Sequence, residues 1–311
     1  MYQSIYLEKI SASGVLPADI YIKISDRYLK YKEKGQELET KKIETFLKGG
    51  MKVVYFEEAE IPTVKDWLGA NADKIIDEVV ASAGGKFKET AKKSLKSKDG
   101  LIEALGAEEM SDDHFSNLEK NSSGFISEAV ANPMTGKAIN ALLDGAAGIA
   151  AHSLNVANLS IFLAMKLGVK DKKVLDSIYL GAIMHDFGKI RNKSEVLNSY
   201  EVNNIPDDHP DKGLAVVKKS AGLDPLVLEI IAQHHEQFDG DGYPKGIKGD
   251  AIKFESQIVA LANFFDQNLR LTAGTKEDIH NMIKSVAQGN STLFAPKLFP
   301  AVTEALKDAF K

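Results

Sequence analysis

From about residue 134 onward, apolar side chains return every three or four positions, the period of an α-helix with one face in a core. His152, Val156, Leu159, Leu163 and Leu167 share one such face. Val174, Ile178, Ala182 and His185 share a second, and Leu223, Val227, Ile230, Ile231 and His234 a third. Val259, Ala262, Asn263 and Asp266 follow the same rule. In each stripe a residue able to bind a metal stands in line with the apolar ones, so the pattern aims it into the helical core.

The first 60 residues are patterned differently. Residues 19–25 and 28–31 are rich in β-branched and aromatic side chains, residues 32–35 supply a turn, and residues 52–56 read as another strand. A short helix is expected over residues 38–47. Residues 63–132 are helical in pattern and highly charged. Lysines 86, 88, 92, 93, 96 and 98 crowd one segment there and read as a solvated helix face. Residues 121–124 (Asn-Ser-Ser-Gly) suggest a break, and residues 130–133, ending in Pro133, a boundary. The expected organisation is a small α+β regulatory or partner-binding module (1–60), a helical linker region (61–133) and a metal-binding helical domain (134–311). The fold class is mostly α.

Bulk properties narrow the functions. The chain has 311 residues and a net charge of −5, which implies no general affinity for nucleic acid or an anionic membrane. It has no cysteine, which excludes disulfides, thiolate zinc sites and cysteine nucleophiles. No run of about 18 apolar residues suggests a membrane span, and residues 1–10 do not read as a leader peptide. The expectation is a cytoplasmic protein.

The chemistry lies in the histidines. Five of the seven (152, 185, 209, 234 and 235) fall between residues 150 and 240, while His114 and His280 lie outside. An unpartnered buried polar group costs roughly 1–3 kcal/mol, a penalty that metal coordination removes. Asp186 adds an anionic oxygen able to bridge two cations. Neighbouring helical residues project about 100° apart, so His234 and His235 can serve different metals. Nitrogen and oxygen donors without thiolate favour iron, manganese or zinc. Two cations about 3.5–4 Å apart can hold a bridging hydroxide and neutralise a phosphate, the machinery of phosphodiester hydrolysis. Lys189, one turn after His185, can place a fixed charge on that phosphate.

The order and spacing of these residues resemble the HD-GYP family, a branch of the HD-domain phosphohydrolases, over roughly residues 145–270. His152 and Ser153 followed by Val156 and Ala157 look like H-S-x-x-V-A. Residues 185–190 match H-D-x-G-K-I. His209, Pro210 and Gly213 resemble H-P-x-x-G, and residues 234–246 fit H-H-E-x-x-D-G-x-G-Y-P-x-G at every specified position. The resemblance implies an all-helical HD-type bundle holding two divalent cations, iron first and manganese second. It implies hydrolysis of cyclic di-GMP to linear pGpG and on to GMP. The implied ligands are His152, His185, Asp186 (as the bridge), His209, His234 and His235. Asp186 and Lys189 become the catalytic pair. Asp239, Gly240, Gly242, Tyr243 and Pro244 shape the site or a partner surface. The alternative function is a weakly active or non-catalytic module that binds nucleotide or a protein such as a diguanylate cyclase.

The chain also departs from the family pattern. The family's ligand aspartate aligns with Asn263, with Asp266 one turn later as the chemical alternative. Residues 148–151 lack the glutamate that brings a third metal in some members, which favours two. The basic segment expected to grip substrate phosphates is replaced by residues 270–275, leaving Arg270, helped by Lys276, as the phosphate contact. Residues 191–197 keep only a trace of the motif expected there, and the stretch up to His209 is shortened. The N-terminal module resembles, through Leu16, Pro17, residues 21–25 and the strand ending at Tyr55, the small domain that precedes some HD-GYP domains.

Overall fold

The computed structural model describes residues 1–10, 15–39, 42–43, 45–46, 49, 51–107, 109–143, 148–192, 195–196, 208–219, 222–271, 276–288 and 293–310. At the N-terminus, strands β1 (Tyr2–Tyr6), β2 (Ile20–Ile24), β3 (Arg27–Lys32) and β4 (Val53–Glu57) form an antiparallel sheet in the order β1-β4-β2-β3. Its inner face carries Ile20, Val54 and Phe56, which pack with Leu7, Ile10 and Leu16. Strand β1 carries no strand signal of its own in the sequence reading; its pairing with β4 supplies it, with Ser4 opposite Tyr55. The helix expected over residues 38–47 lies partly outside the described residues.

Eleven α-helices follow among the described residues: α1 (Ile61–Ala83), α2 (Lys88–Gly106), α3 (Asp112–Ala131), α4 (Gly136–Leu142), α5 (Ile149–Lys166), α6 (Lys172–Met184), α7 (His209–Val217), α8 (Pro225–Gln233), α9 (Phe254–Leu271), α10 (Lys276–Gln288) and α11 (Phe299–Ala309). The first turns of α1 bury Ile61 and Val64 with the sheet, while Ile76 and Val79 further along join the core of the helical bundle. The same helix therefore serves both cores.

Two expectations are overturned. Residues 121–124 do not break the chain but lie inside α3. Asn121 and Ser122 are buried there, and Asn121 Nδ2 donates to Lys96 O on α2 at 3.3 Å. A side chain at Gly100 would clash with Asn121, so the small residues of α3 face a glycine on α2, and close helix packing outweighs their weak helix propensity. Helix α5 is not amphipathic either: every residue from Ile149 to Ala164 is buried. Its second face is built from Ala, Ser and Asn, which read as polar or neutral in sequence but are small enough to pack against α2, α4, α6 and α9.

Helix starts follow from local chemistry. Ser111 caps α3 in a reciprocal box with His114, which gives that histidine a structural role. Asp171 caps α6, accepting from Lys173 N at 2.8 Å, and Asp224 caps α8, accepting from Leu226 N at 2.9 Å ahead of Pro225. The two capped helices run inward and end at the histidines of the site.

Candidate metal centre

Helix α6 ends at Met184 and α8 at Gln233, so His185 and His234 occupy the first positions past a helix end, where carbonyls are left without intrahelical partners. Each ring supplies one. His185 Nδ1 donates to Ala182 O at 2.6 Å, and His234 Nδ1 donates to Ile231 O at 2.8 Å. A carbonyl only accepts, so both rings carry their proton on Nδ1 and offer the Nε2 lone pair to the interior. His152, in the first turn of α5, follows the same rule with a different acceptor: its Nδ1 lies 2.7 Å from Asp266 Oδ2 on α9.

Four ring nitrogens converge on Asp186. Its Oδ2 is 3.6 Å from His152 Nε2 and 3.4 Å from His185 Nε2. Its Oδ1 is 3.5 Å from His209 Nε2 and 3.8 Å from His234 Nε2. Two groups share this carboxylate, His152 with His185 on one side and His209, His234 and His235 on the other, and within each group the donor atoms lie within 4.8 Å of one another. His209 is the first residue of α7, and its Nε2 is 3.1 Å from His234 Nε2. Nitrogens that close share a proton or a cation.

Glycine makes the close approach possible. After Asp186 the chain turns through Phe187–Lys189, and a Cβ on Gly188 would lie 1.8 Å from His209 O. The third position after His185 thus has to be glycine for α7 to bring His209 to Asp186. Lys189 is 1% exposed, and its Nζ donates to Asp186 Oδ2 at 2.7 Å.

Electrostatics favour the metal-binding protonation state. Burial opposes ionisation of Asp186 most strongly, yet His185, Lys189 and His152 outweigh it and hold the carboxyl well below its usual range. Burial pushes His152 down, against the pull of Asp266. Burial also pushes His234 well down, helped by His235, His185 and His209, and it does the same for His235 with His209 and Lys189. Burial thus favours the neutral form of His152, His234 and His235 beside an ionised carboxylate, the form in which these groups bind metal. The buried atoms fit as well: His152 Nε2, His185 Nε2, His235 Nε2, Asp186 Oδ1 and Asn263 Oδ1 have no hydrogen-bond partner. Orphans of this kind, imidazole nitrogens with one carboxylate and one amide oxygen, match a divalent cation site rather than a packed core.

The Gly-Tyr-Pro loop closes one side. Tyr243 stacks on His235 with ring centroids 4.6 Å apart and planes 15° apart. A Cβ on Gly242 would lie 2.2 Å from Gln237 N, so the loop folds directly onto the backbone that follows the histidine pair. Gly240 has φ +95°, a conformation suited to glycine. Asp239 is exposed and accepts from Asp241 N at 3.0 Å, a turn-forming bond, and the bond before Pro244 is cis.

Two functional side chains, Glu236 and Asn155, were given no role by the sequence reading. Glu236 is 3% exposed and accepts from Lys245 N at 2.8 Å and Ile247 N at 3.0 Å, clamping the loop to α8. Asn155 donates to Asp266 Oδ1 at 2.8 Å. Asp266 has both oxygens engaged, by His152 and Asn155, whereas Asn263 one turn earlier presents a buried unpartnered oxygen. Asn155 carried a signal, as a polar residue one turn after His152 in an apolar helix. The side chains of Arg270 and Lys276 and the segment 197–207 lie outside the described residues, as do residues 193 and 194 and the side chains of the rest of the expected motif trace at 191–197.

Residues 149–267 match the HD domain family. The 3'3'-cGAMP-specific phosphodiesterase 1 of Vibrio cholerae is 33% identical over 119 residues, 37% of this chain and 27% of that protein. The cyclic di-GMP phosphodiesterase response regulator RpfG of Xanthomonas campestris is 34% identical over 125 residues, 38% of this chain and 33% of that protein. The chain thus matches a third or less of the length of these relatives. Among solved structures, Bd1817, an HD-GYP-type protein of Bdellovibrio bacteriovorus, shares the fold with a TM-score of 0.70 at 22% identity, covering 99% of this chain and 100% of that one. Residues 149–267 thus carry an HD domain, and the chain shares its fold with a protein of the HD-GYP type.

Proposed function

We propose that the chain is a metal-dependent phosphodiesterase that hydrolyses cyclic di-GMP to linear pGpG and onward to GMP. The observation that carries this reading is the convergence of buried, unpartnered imidazole nitrogens on the single ionised carboxylate of Asp186. Two divalent cations, iron first and manganese second, would share Asp186. His152, His185 and Asn263 would hold one, and His209, His234 and His235 the other. Bound there, the cations would neutralise the phosphodiester and activate water for its cleavage.

The protein's own groups have separate tasks. Backbone carbonyls and Asp266 hold three imidazoles in the tautomer that presents Nε2. Lys189 acts first as the counter-ion of Asp186 and meets a substrate phosphate from that position. Tyr243 covers His235 and gives a substrate base a flat aromatic edge at the mouth of the site. The names of the relatives, which include enzymes for cyclic di-GMP and for 3'3'-cGAMP, support a cyclic dinucleotide as the substrate class.

The test is hydrolysis of cyclic di-GMP by protein loaded with iron or manganese without oxygen. Wild type is expected to convert the substrate and Asp186→Ala to lose at least 100-fold in rate, since removing a shared ligand disables both cation positions. Metallated wild type that leaves the substrate intact overturns the reading. One observation favours a second reading: a neutral Asn263 in place of a carboxylate leaves the centre with less negative charge. A weakly active or non-catalytic module would then bind nucleotide, or a diguanylate cyclase-type partner through residues 239–244. Binding of cyclic di-GMP without cleavage is its signature.

A further inference from the structure

Among the histidines that converge on Asp186, His185 and His234 are oriented by carbonyls three residues earlier on their own helices. His152 is oriented by a side chain on another helix, 114 positions away in sequence. That acceptor, Asp266, is 2% exposed and is itself held by Asn155 Nδ2, one turn after His152 on α5. The three side chains form a buried bridge between two helices: α5 supplies the histidine and the asparagine, and α9 supplies the carboxylate between them.

We propose that Asp266 is a positioning residue rather than a metal ligand. It fixes His152 as the Nδ1–H tautomer, aims Nε2 at the centre, and places a negative charge one imidazole removed from the site where Asn263 has none. This inference rests on the metal centre proposed above. Three observations carry it. Both Asp266 oxygens are already committed, to His152 Nδ1 and to Asn155 Nδ2. The opposite ring nitrogen, His152 Nε2, is buried without a hydrogen-bond partner and lies 3.6 Å from Asp186 Oδ2. The neighbouring Asn263 Oδ1 is likewise buried and unpartnered, so α9 already presents a donor atom that is not engaged. A carboxylate behind a ligating imidazole raises the ring's basicity and fixes its direction, and losing such a partner typically weakens metal binding 10–100-fold.

The position of this carboxylate also bears on charge. With Asp266 acting through His152, the group of His152 and His185 keeps a fixed negative charge close by without spending a coordination position on it. If Asp266 instead became a ligand on metal binding, the Oδ2 that now accepts from His152 would have to turn toward the cation, loosening the bond that orients the ring.

Side-chain NMR of protein with 15N-labelled histidine, read metal-free and with zinc as a diamagnetic probe, separates the possibilities. Wild type is expected to show the His152 Nδ1–H signal in both states, with only the Nε2 shift moving on zinc addition. Asp266→Ala is expected to lose that signal while those of His185 and His234 remain, and to bind zinc 10–100-fold more weakly. The isosteric Asp266→Asn, whose amide oxygen can still accept, is expected to keep the signal with an intermediate loss of affinity. Loss of the wild-type signal on zinc addition makes Asp266 a ligand and overturns the proposal. So does zinc affinity within twofold of wild type in Asp266→Ala. Wild type that takes up no zinc removes the metal centre itself along with this role, an outcome distinct from the other two.

Discussion

At the scale of single residues, Asp186 and Lys189 form a buried ion pair at the middle of the site. Both are essentially excluded from water, and Lys189 is the one cation within hydrogen-bond distance of Asp186 among the described residues. Removing one partner of such a pair leaves the other charge buried and uncompensated, which costs roughly 3–5 kcal/mol. Lys189→Met is therefore expected to lower the melting temperature of the metal-free protein sharply. A bound cation would offer Asp186 a replacement charge, so manganese is expected to restore more stability to Lys189→Met than it adds to wild type. Thermal melts of both proteins with and without manganese read the difference, and equal increments would separate Lys189 from the metal centre. His152, His185 and His234 were legible in sequence because each stands in an apolar stripe, and His209 and His235 through the motifs that carry them. The division of labour between Asn263 and Asp266 was not. Their spacing places both on one helix face, and only the fold reveals that Asp266 is already taken by a histidine and an asparagine from α5.

At the scale of elements, the centre is built from ends rather than middles. Helices α6 and α8 stop where their histidines begin, α7 starts on His209, and the loop after His235 folds back on itself. The glycines and proline of that loop announced a turn in sequence, but the part that holds the turn is Glu236, a charged residue that composition would place in solvent. Two backbone N–H bonds to a buried carboxylate are worth about 1.5–3 kcal/mol each. Glu236→Ala is expected to free the loop without unwinding α8. Amide exchange at Lys245 and Ile247 would rise at least tenfold, while Val227 and Ile230 keep their protection. Hydrogen exchange resolved by residue checks this, and unchanged exchange at Lys245 and Ile247 would mean the loop is held by Gly242 and Tyr243 instead. The misread elements have one cause in common. In α3 and α5, runs of Ser, Asn, Gly and Ala look like breaks or solvent faces, and they are in fact the small surfaces that let helices approach closely. Propensity and periodicity report on a helix alone, whereas these positions are decided by its neighbour.

At the scale of the whole molecule, the bundle keeps imidazoles neutral in its core, and that ties its stability to pH. His152, His234 and His235 all titrate below their ordinary value of 6.5, with burial as the main cause. His235 exposes part of its ring, but its Nε2 is shielded. As the pH falls below about 6.5, the unfolded chain takes up protons on these residues that the folded chain refuses, so stability falls with pH in that window. Each such group contributes about 1.4 kcal/mol per pH unit, up to about 4 kcal/mol per unit for the three. Asp186 acts in a separate and lower window. Its folded-state value lies well below 3.8, so the stability it contributes is present above that pH and is lost only as the pH falls further. The metal-free protein is thus expected to lose melting temperature steeply between pH 7 and 5, before its carboxylates titrate. Bound metal holds the same nitrogens against protons, so the loaded protein is expected to resist until acid displaces the metal, with the two curves diverging most near pH 6. A metal-free melting temperature that stays flat from pH 7 to 5 would mean these imidazoles accept protons in the folded state, and the centre would then be open to water rather than preformed for a cation.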